Sequence, residues 1–143
     1  KRKILAADFY KNDGISYLNK KPDELLVSLR LPPREGWRMN YKKLRRRDSI
    51  DFPVLSVALA LRLEKNGNCA DARIVLGSVA SSPLRVYDAE KKLIGYKMTE
   101  DRIALAAQIT SKLAKPADNT DMQLVFRKKM VRQFLTKAIT EII

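Results

Sequence analysis

The residues best suited to bind a ligand lie in the stretch YKKLRRRDSIDFP, at positions 41–53. Five cations fill the six positions 42–47, and two carboxylates, Asp48 and Asp51, follow them closely. Clustered lysines and arginines attract anionic or electron-rich groups, and nearby carboxylates can hold arginines in place. The stretch is therefore a solvated strand, a patch for nucleic acid, or a loop that presents cations to a ligand.

The pattern alone does not choose among these three interpretations. Alternating cations commonly protect a strand edge against aggregation. Nucleic acid is the less favoured partner, because aromatic residues make up only 7% of the chain and do not alternate with the cations as a stacking platform requires. The ligand loop gains support from Ser56, Ala58 and Ala60, whose small side chains would let another backbone or a flat ring approach the next strand closely. Tight helix packing would explain the same small residues.

Composition excludes most enzymatic chemistry for this chain. It has no histidine and a single cysteine, Cys69, so it cannot build a zinc or iron–sulfur site or a histidine-based acid–base centre. No catalytic and no metal-binding residue is therefore predicted. The net charge of +13 would attract phosphates, acidic membrane surfaces or an acidic protein. One cysteine and no membrane-length apolar segment lead us to expect a cytoplasmic protein.

Strand signals dominate the first half of the chain. ELLVSLRLPP alternates apolar residues up to Pro32 and predicts a strand, and a period of two continues through residues 37–47 and 52–63. Asn66-Gly67 predicts a hairpin turn that leads into a strand over residues 69–80. The apolar pairs at residues 4–5 and 9–10 resemble the tail of a strand and its exit.

Helix signals follow Pro83. They predict helices over residues 86–94, ended by Gly95, over residues 99–114, capped by Thr99, and over residues 121–141. Strands first and helices afterwards are typical of an α+β fold. We expect an antiparallel sheet of three to four strands with about three helices packed on one face.

Three segments and a basic helix together resemble a known family. The order DELLVSLRLP, YKKLRRRDSIDFPVLSVALAL and ARIVLGSVASSPLRVYDAEKKLIG, followed by FRKKM, is similar to the C-terminal domain of the flavoprotein component of molybdenum hydroxylases. Xanthine dehydrogenase, aerobic carbon monoxide dehydrogenase and 4-hydroxybenzoyl-CoA reductase belong to that family. Gly77, Pro83, Arg85, Glu90 and Gly95 fall in the family's order and spacing.

The resemblance implies a domain organisation. Residues 1–33 would form the end of a preceding FAD-binding domain or a linker, together with the first strand, and residues 34–143 the C-terminal α+β domain. The glycine-rich turns that grip the FAD pyrophosphate in this family lie upstream of the part that resembles it. The chain alone is therefore expected to be inactive and to lack flavin.

The resemblance also implies partners and a role. FAD belongs to the intact subunit, iron–sulfur clusters and molybdopterin belong to an iron–sulfur subunit and a large subunit, and the domain mediates electron transfer with an external acceptor or donor. The alternative is a stand-alone basic module that binds nucleic acid or an acidic protein.

Site residues are implied position by position. Leu26 corresponds to a leucine that packs on the isoalloxazine ring, and Lys42 to a lysine beside the polar edge of the flavin. A mobile loop that controls access of the acceptor corresponds to Arg45, Arg46, Arg47, Asp48 and Asp51.

Overall fold

The computed structural model describes residues 1–48, 50–117 and 122–143. Its elements in chain order are α1 (Ala6–Phe9), β1 (Trp37–Leu44), β2 (Leu55–Leu63), β3 (Cys69–Gly77), β4 (Leu84–Arg85), α2 (Tyr87–Leu93), α3 (Glu100–Leu113) and α4 (Leu124–Thr140). The four strands form one antiparallel sheet in the order β1-β2-β3-β4. The predicted α+β class is confirmed.

The two faces of the sheet differ in side-chain size, as the alternation in β2 predicts. Leu55, Val57 and Leu61 are completely buried, and together with the inward residues of β3 they pack against α2 and α4, on which α3 packs in turn. Ser56, Ala58 and Ala60 point to the opposite side. That second side has no described helix on it, and we call it the open face. It consists of Trp37, Met39, Tyr41, Lys43, Ser56, Ala58, Ala60, Arg62, Asp71, Arg73, Val75 and Gly77.

Two glycines meet geometric demands within the sheet. Gly67 has φ 84° in the β2–β3 hairpin, which confirms the turn predicted from Asn66-Gly67. Gly77 lies opposite Ser56, and a Cβ added there would sit 2.4 Å from the Ser56 hydroxyl oxygen. The Ser56 hydroxyl therefore occupies the space that a side chain at residue 77 would need.

The three predicted helices are present, and each is shorter than predicted. The backbone N–H of Arg102 donates to the Thr99 hydroxyl at 3.4 Å, which confirms the cap of α3, and Gly95 has φ 85° just beyond α2. Helix α4 begins at Leu124 rather than at residue 121, which lies outside the described residues. Its first residues, Leu124 and Val125, are exposed.

Arg127 occupies the buried side of α4, where sequence periodicity would place an apolar residue. Its Nε and Nη2 atoms donate to the Val54 carbonyl oxygen at 3.0 and 2.7 Å, and its Nη1 atom donates to that of Ala117 at 3.1 Å. The Ser78 carbonyl oxygen also accepts from Nη2. Burial lowers the pKa of the guanidinium by desolvation. Arg127 thus joins α4 to the segment before β2 and to the end of β3.

The predicted strand over residues 25–31 is wrong for this structure. The segment belongs to no strand, and Leu25, Val27, Leu29 and Leu31 are 73% to 88% exposed. Alternation identifies one side of an extended segment as apolar, but a strand also requires a neighbour for its N–H and C=O groups. Among the described residues no neighbouring strand pairs with this segment.

Several other boundaries also differ from the prediction. Residues 6–9 form the short helix α1, where we expected strand residues on either side, and Tyr10 forms an isolated bridge with Leu18. Strand β1 ends at Leu44, β2 begins only at Leu55, and β3 ends at Gly77. Strand β4 was not predicted, because two residues carry too little periodicity. None of the helices in the described ranges is long and apolar enough to span a bilayer.

Candidate functional site

Lys42 lies on β1 opposite Val57, on the side of the sheet that carries the helices. Its Nζ atom forms an ion pair with the Glu141 carboxylate, at the C-terminal end of α4. The same carboxylate accepts from Asn40 Nδ2 at 2.8 Å. The Lys42 side chain keeps 22% of its surface exposed, so its ammonium group is oriented by Glu141 while remaining reachable from solvent.

Helix α4 is fixed against β1 by three side chains of that strand. Besides Lys42, Asn40 Nδ2 donates to the Ala138 carbonyl oxygen at 3.2 Å, and Arg38 Nη1 donates to that of Ile142 at 2.8 Å. The Ala138 carbonyl lies in the last turn of α4 and that of Ile142 lies just beyond the helix, so side-chain donors from β1 satisfy carbonyls at this helix end. The hydrogen bonds from Lys42 and then Asn40 lower the pKa of Glu141. We call Asn40, Lys42 and Glu141 the β1–α4 junction.

The basic loop after β1 is organised by Asp51. Its carboxylate accepts from the backbone N–H of Arg47 at 3.2 Å, from Arg47 Nη2 at 3.3 Å and from the backbone N–H of Phe52 at 2.9 Å. The Arg47 side chain is the main cause of the lowered pKa of Asp51. The expectation that a carboxylate fixes an arginine is confirmed for this pair.

The loop presents both cations and apolar surface to solvent. Arg45, Arg46 and Asp48 are exposed, and the side chains of Ile50 and Phe52 are also almost fully exposed. Residue 49 lies outside the described residues. Ile50 and Phe52 are therefore available for contact with another molecule or domain.

Leu26 lies in the extended segment before β1 and is 59% exposed. Glu24, two residues earlier, accepts from Arg2 Nε at 2.9 Å and from the backbone N–H of Lys21 at 2.8 Å. These contacts, with the Arg2 side chain first, lower the pKa of Glu24 to about 2. Leu26 therefore follows a fixed turn, but it is in no strand of the sheet that carries Lys42.

Two further buried side chains, Glu90 and Cys69, have structural roles. Glu90 is buried and accepts from the backbone N–H of Ile74 at 2.8 Å and from Arg85 Nε at 3.0 Å, so it pairs with an arginine. Cys69 is buried, and desolvation raises the pKa of its thiol to about 11, which disfavours the reactive thiolate. In the described part of the chain, no three side chains of metal-ligating type come together.

Sequence reasoning missed two members of the β1–α4 junction. Asn40 is two residues before Lys42, so the period of two that assigned a face to Lys42 would have placed Asn40 beside it. Glu141 carried no comparable signal, because it lies 101 residues from Asn40 in the chain and meets it only through packing of α4.

Comparison with known proteins identifies the fold and the family together. The model of the CO dehydrogenase flavoprotein C-terminal domain matches residues 39–142. The chain is 31% identical over 142 residues to the glyceraldehyde dehydrogenase medium chain of Sulfolobus acidocaldarius, covering 99% of this chain and 49% of that one. It is 32% identical over 141 residues to the Escherichia coli aldehyde oxidoreductase FAD-binding subunit PaoB, covering 96% and 41%.

A solved structure extends this likeness to three dimensions. A chain of the Cu,Mo-CO dehydrogenase superposes with a TM-score of 0.85 at 29% identity, over 96% of this chain and 48% of that one. The chain therefore belongs to the family of C-terminal domains of the FAD subunit of molybdenum hydroxylases. It spans about half the length of the curated relatives it matches.

Proposed function

We propose that this chain forms the C-terminal part of the FAD-binding subunit of a molybdenum-containing oxidoreductase. In that assembly electrons would pass between iron–sulfur clusters on a partner subunit and an external acceptor or donor, and a large subunit would carry molybdopterin. The observation that supports this most directly is the match of 96% of the chain to a subunit of a Mo-containing enzyme, with the N-terminal segment included. The absence of histidine agrees with a role in which the protein supplies no acid or base.

Lys42 and Leu26 are the residues proposed to contact FAD, and their chemistry fits one wall of a flavin site. Leu26 offers an exposed apolar side chain, and Lys42 offers a partly exposed cation held by Glu141. When bound, FAD supplies the redox chemistry, and the chain positions it and adjusts its potential electrostatically. A cation beside the ring favours the state with more negative charge, whereas the Glu141 carboxylate partly offsets that effect.

The loop of Arg45, Arg46, Arg47, Asp48 and Asp51 is proposed to control access of the electron acceptor. Asp51 holds Arg47, so this part of the loop has a defined shape. The exposed cations would attract an acceptor or donor with negative charge, and this attraction would weaken with rising salt.

Residues 1–33 are proposed to pack with the FAD-binding domain rather than with residues 34–143. The row of exposed apolar residues at 25–31 supports this assignment, because a sheet can cover such a segment by adding it as an edge strand.

A cytoplasmic location is also proposed, and the single buried Cys69 favours it.

The test of this function is to compare the present chain with the full-length subunit expressed beside its partner subunits. The full-length subunit should bind FAD stoichiometrically and co-purify with iron–sulfur and molybdopterin subunits. The present chain should be colourless and inactive. If the full-length protein instead lacks flavin and binds labelled duplex DNA or RNA in a salt-dependent manner, the basic binding module is the correct interpretation.

A further inference from the structure

The open face of the sheet has the form of a shallow trough. Its floor is β2, where Ala58 and Ala60 are small, and its walls are Met39 and Tyr41 on β1 and Arg73 and Val75 on β3. These residues line a depression of about 400 Å³. Both β1 wall residues are about half exposed, so large apolar surface remains available beside the floor.

Different contacts lie beyond the two ends of the trough. At one end the Trp37 ring is flanked by the guanidinium groups of Arg62 and Arg73, at 5.6 and 4.8 Å from the ring centroid. At the other end the Ser56 hydroxyl lies against Gly77. Residues of a β-sheet hold their directions well, so the trough is already formed before anything binds.

Charge on the rim indicates the chemistry of the occupant. Arg62 is 4.0 Å from the Asp71 carboxylate, so its charge is partly balanced. Arg73 lines the β3 wall, Lys43 lies on β1 just beyond the residues that line the trough, and within the described ranges no carboxylate pairs with either. Two unbalanced cations beside an apolar floor complement large apolar side chains accompanied by Asp or Glu.

We propose that the open face is the docking surface for another subunit of the assembly, which inserts apolar side chains between Met39, Tyr41 and Val75 and places carboxylates on Lys43 and Arg73. The inference rests on the proposed function only in taking the occupant to be another subunit. A trough with an apolar floor and large apolar side chains on its walls suits protein side chains better than a phosphate backbone, which would need cations along the floor.

Carbodiimide crosslinking of the assembled holoenzyme tests the contact directly, because the reagent joins an amine to a carboxylate only where the two touch. Mass spectrometry should find Lys43 joined to an Asp or Glu of a different subunit. Lys128, exposed on α4 away from the trough, is the control and should show no such link at this surface. A Lys43 link to the FAD half of the same subunit, to a second copy of the chain, or no link at all in the assembled complex would overturn the proposal.

Charge reversal supplies a quantitative measurement in the full-length subunit. Lys43→Glu and Arg73→Glu should each weaken association with the partner subunit about tenfold at low salt, with a smaller loss at high salt. Lys128→Glu should leave association unchanged. Thermal unfolding of each variant verifies that it folds. If the wild-type subunit fails to assemble with any partner, the proposed function itself is wrong, whereas normal assembly of both trough variants contradicts only this inference.

Discussion

Arg127 on α4 donates two hydrogen bonds to the carbonyl oxygen of Val54, a residue 73 positions earlier in the chain. Val54 immediately precedes β2, so this contact fixes the start of the central strand against the last helix. A guanidinium group has five N–H donors in a rigid arrangement, which lets a single side chain satisfy several buried carbonyls at once. Arg127 therefore organises the backbone at the junction where the basic loop returns to the sheet.

We expect Arg127→Met to lower the free energy of unfolding by about 3 kcal/mol, because it leaves buried carbonyl oxygens without donors. Arg127→Lys should recover only part of the free energy of unfolding that Arg127→Met loses, since an ammonium group cannot reproduce the planar arrangement of donors. Urea denaturation followed by circular dichroism would measure both. Lys128→Met, at the exposed neighbouring position, is the matched control and should change stability little. Equal stability of the Arg127→Met and Lys128→Met variants would contradict the role of Arg127.

Gly77→Ala should be destabilising by roughly 1–3 kcal/mol, because its Cβ would lie 2.4 Å from the Ser56 hydroxyl oxygen. The Ser56 Cβ lies 3.8 Å away, an ordinary contact distance, so Ser56→Ala should recover much of the loss in the double variant. Thermal unfolding of the two single variants and the double variant forms the test. Strictly additive effects would show that the clash is not with the hydroxyl.

The sequence predicts the sheet well where the two strands of a pair are neighbours in the chain. The strands around Asn66-Gly67 are joined by a short hairpin, so periodicity and turn chemistry suffice to pair them. The segment at residues 25–31 has equally clear alternation but no neighbour in the described residues. Local pattern identifies an apolar side of a segment without identifying what covers it, and the strand prediction failed there for that reason.

The residues of the candidate site also differ in whether local sequence was enough to predict them. The Arg47–Asp51 pair joins residues close in sequence, and their spacing was sufficient to predict it, whereas Lys42 was singled out by the resemblance to the family. Glu141 and Arg127 act across the fold, and both depend on how α4 packs on the sheet. A charged residue within an apolar helical stripe is normally assigned to solvent, so the burial of Arg127 could not be predicted from the stripe alone.

The Glu24 carboxylate, which pairs with Arg2, should have a pKa below its ordinary range. Glu24 has a pKa of about 2, mainly because of the hydrogen bonds from the Arg2 side chain. Since the folded pKa lies below the unfolded one, this group's contribution to stability is present above pH 4.5 and is lost as the pH falls towards 2.

NMR titration of the Glu24 carboxyl carbon would measure this pKa directly. Arg2→Gln should move it upward towards the ordinary value of 4.5, because the charged donor is removed. Lys3→Gln changes a neighbouring cation for which the structure gives no contact with Glu24, and it should leave the pKa nearly unchanged. A Glu24 pKa that stays low in the Arg2 variant would assign the shift to the backbone hydrogen bond from Lys21 instead.

The β1–α4 junction leads to opposite predictions for its two charged members in the intact FAD subunit. Lys42→Met retains most of the packing of the side chain but removes the cation, so the anionic reduced flavin should lose on the order of 1–2 kcal/mol of stabilisation and the flavin midpoint potential should fall. Glu141→Gln removes the carboxylate that offsets Lys42, so the potential should rise. Anaerobic potentiometry measures both changes. Unaltered potentials in both variants would mean that the junction is structural and lies away from the flavin.

The arginines of the loop should act on the rate of electron exchange rather than on the potential. Changing Arg45, Arg46 and Arg47 together to Gln should slow reaction with an anionic acceptor and reduce the salt dependence of that rate, because exposed charges act through screened, long-range attraction. The potential should change little, since charge interactions are weak across solvent. Asp51→Asn, which keeps the size of the side chain but weakens its hold on Arg47, separates the shape of the loop from its charge. A large shift in potential in the triple variant, with an unchanged potential after Lys42→Met, would reverse the proposed roles of the loop and the junction.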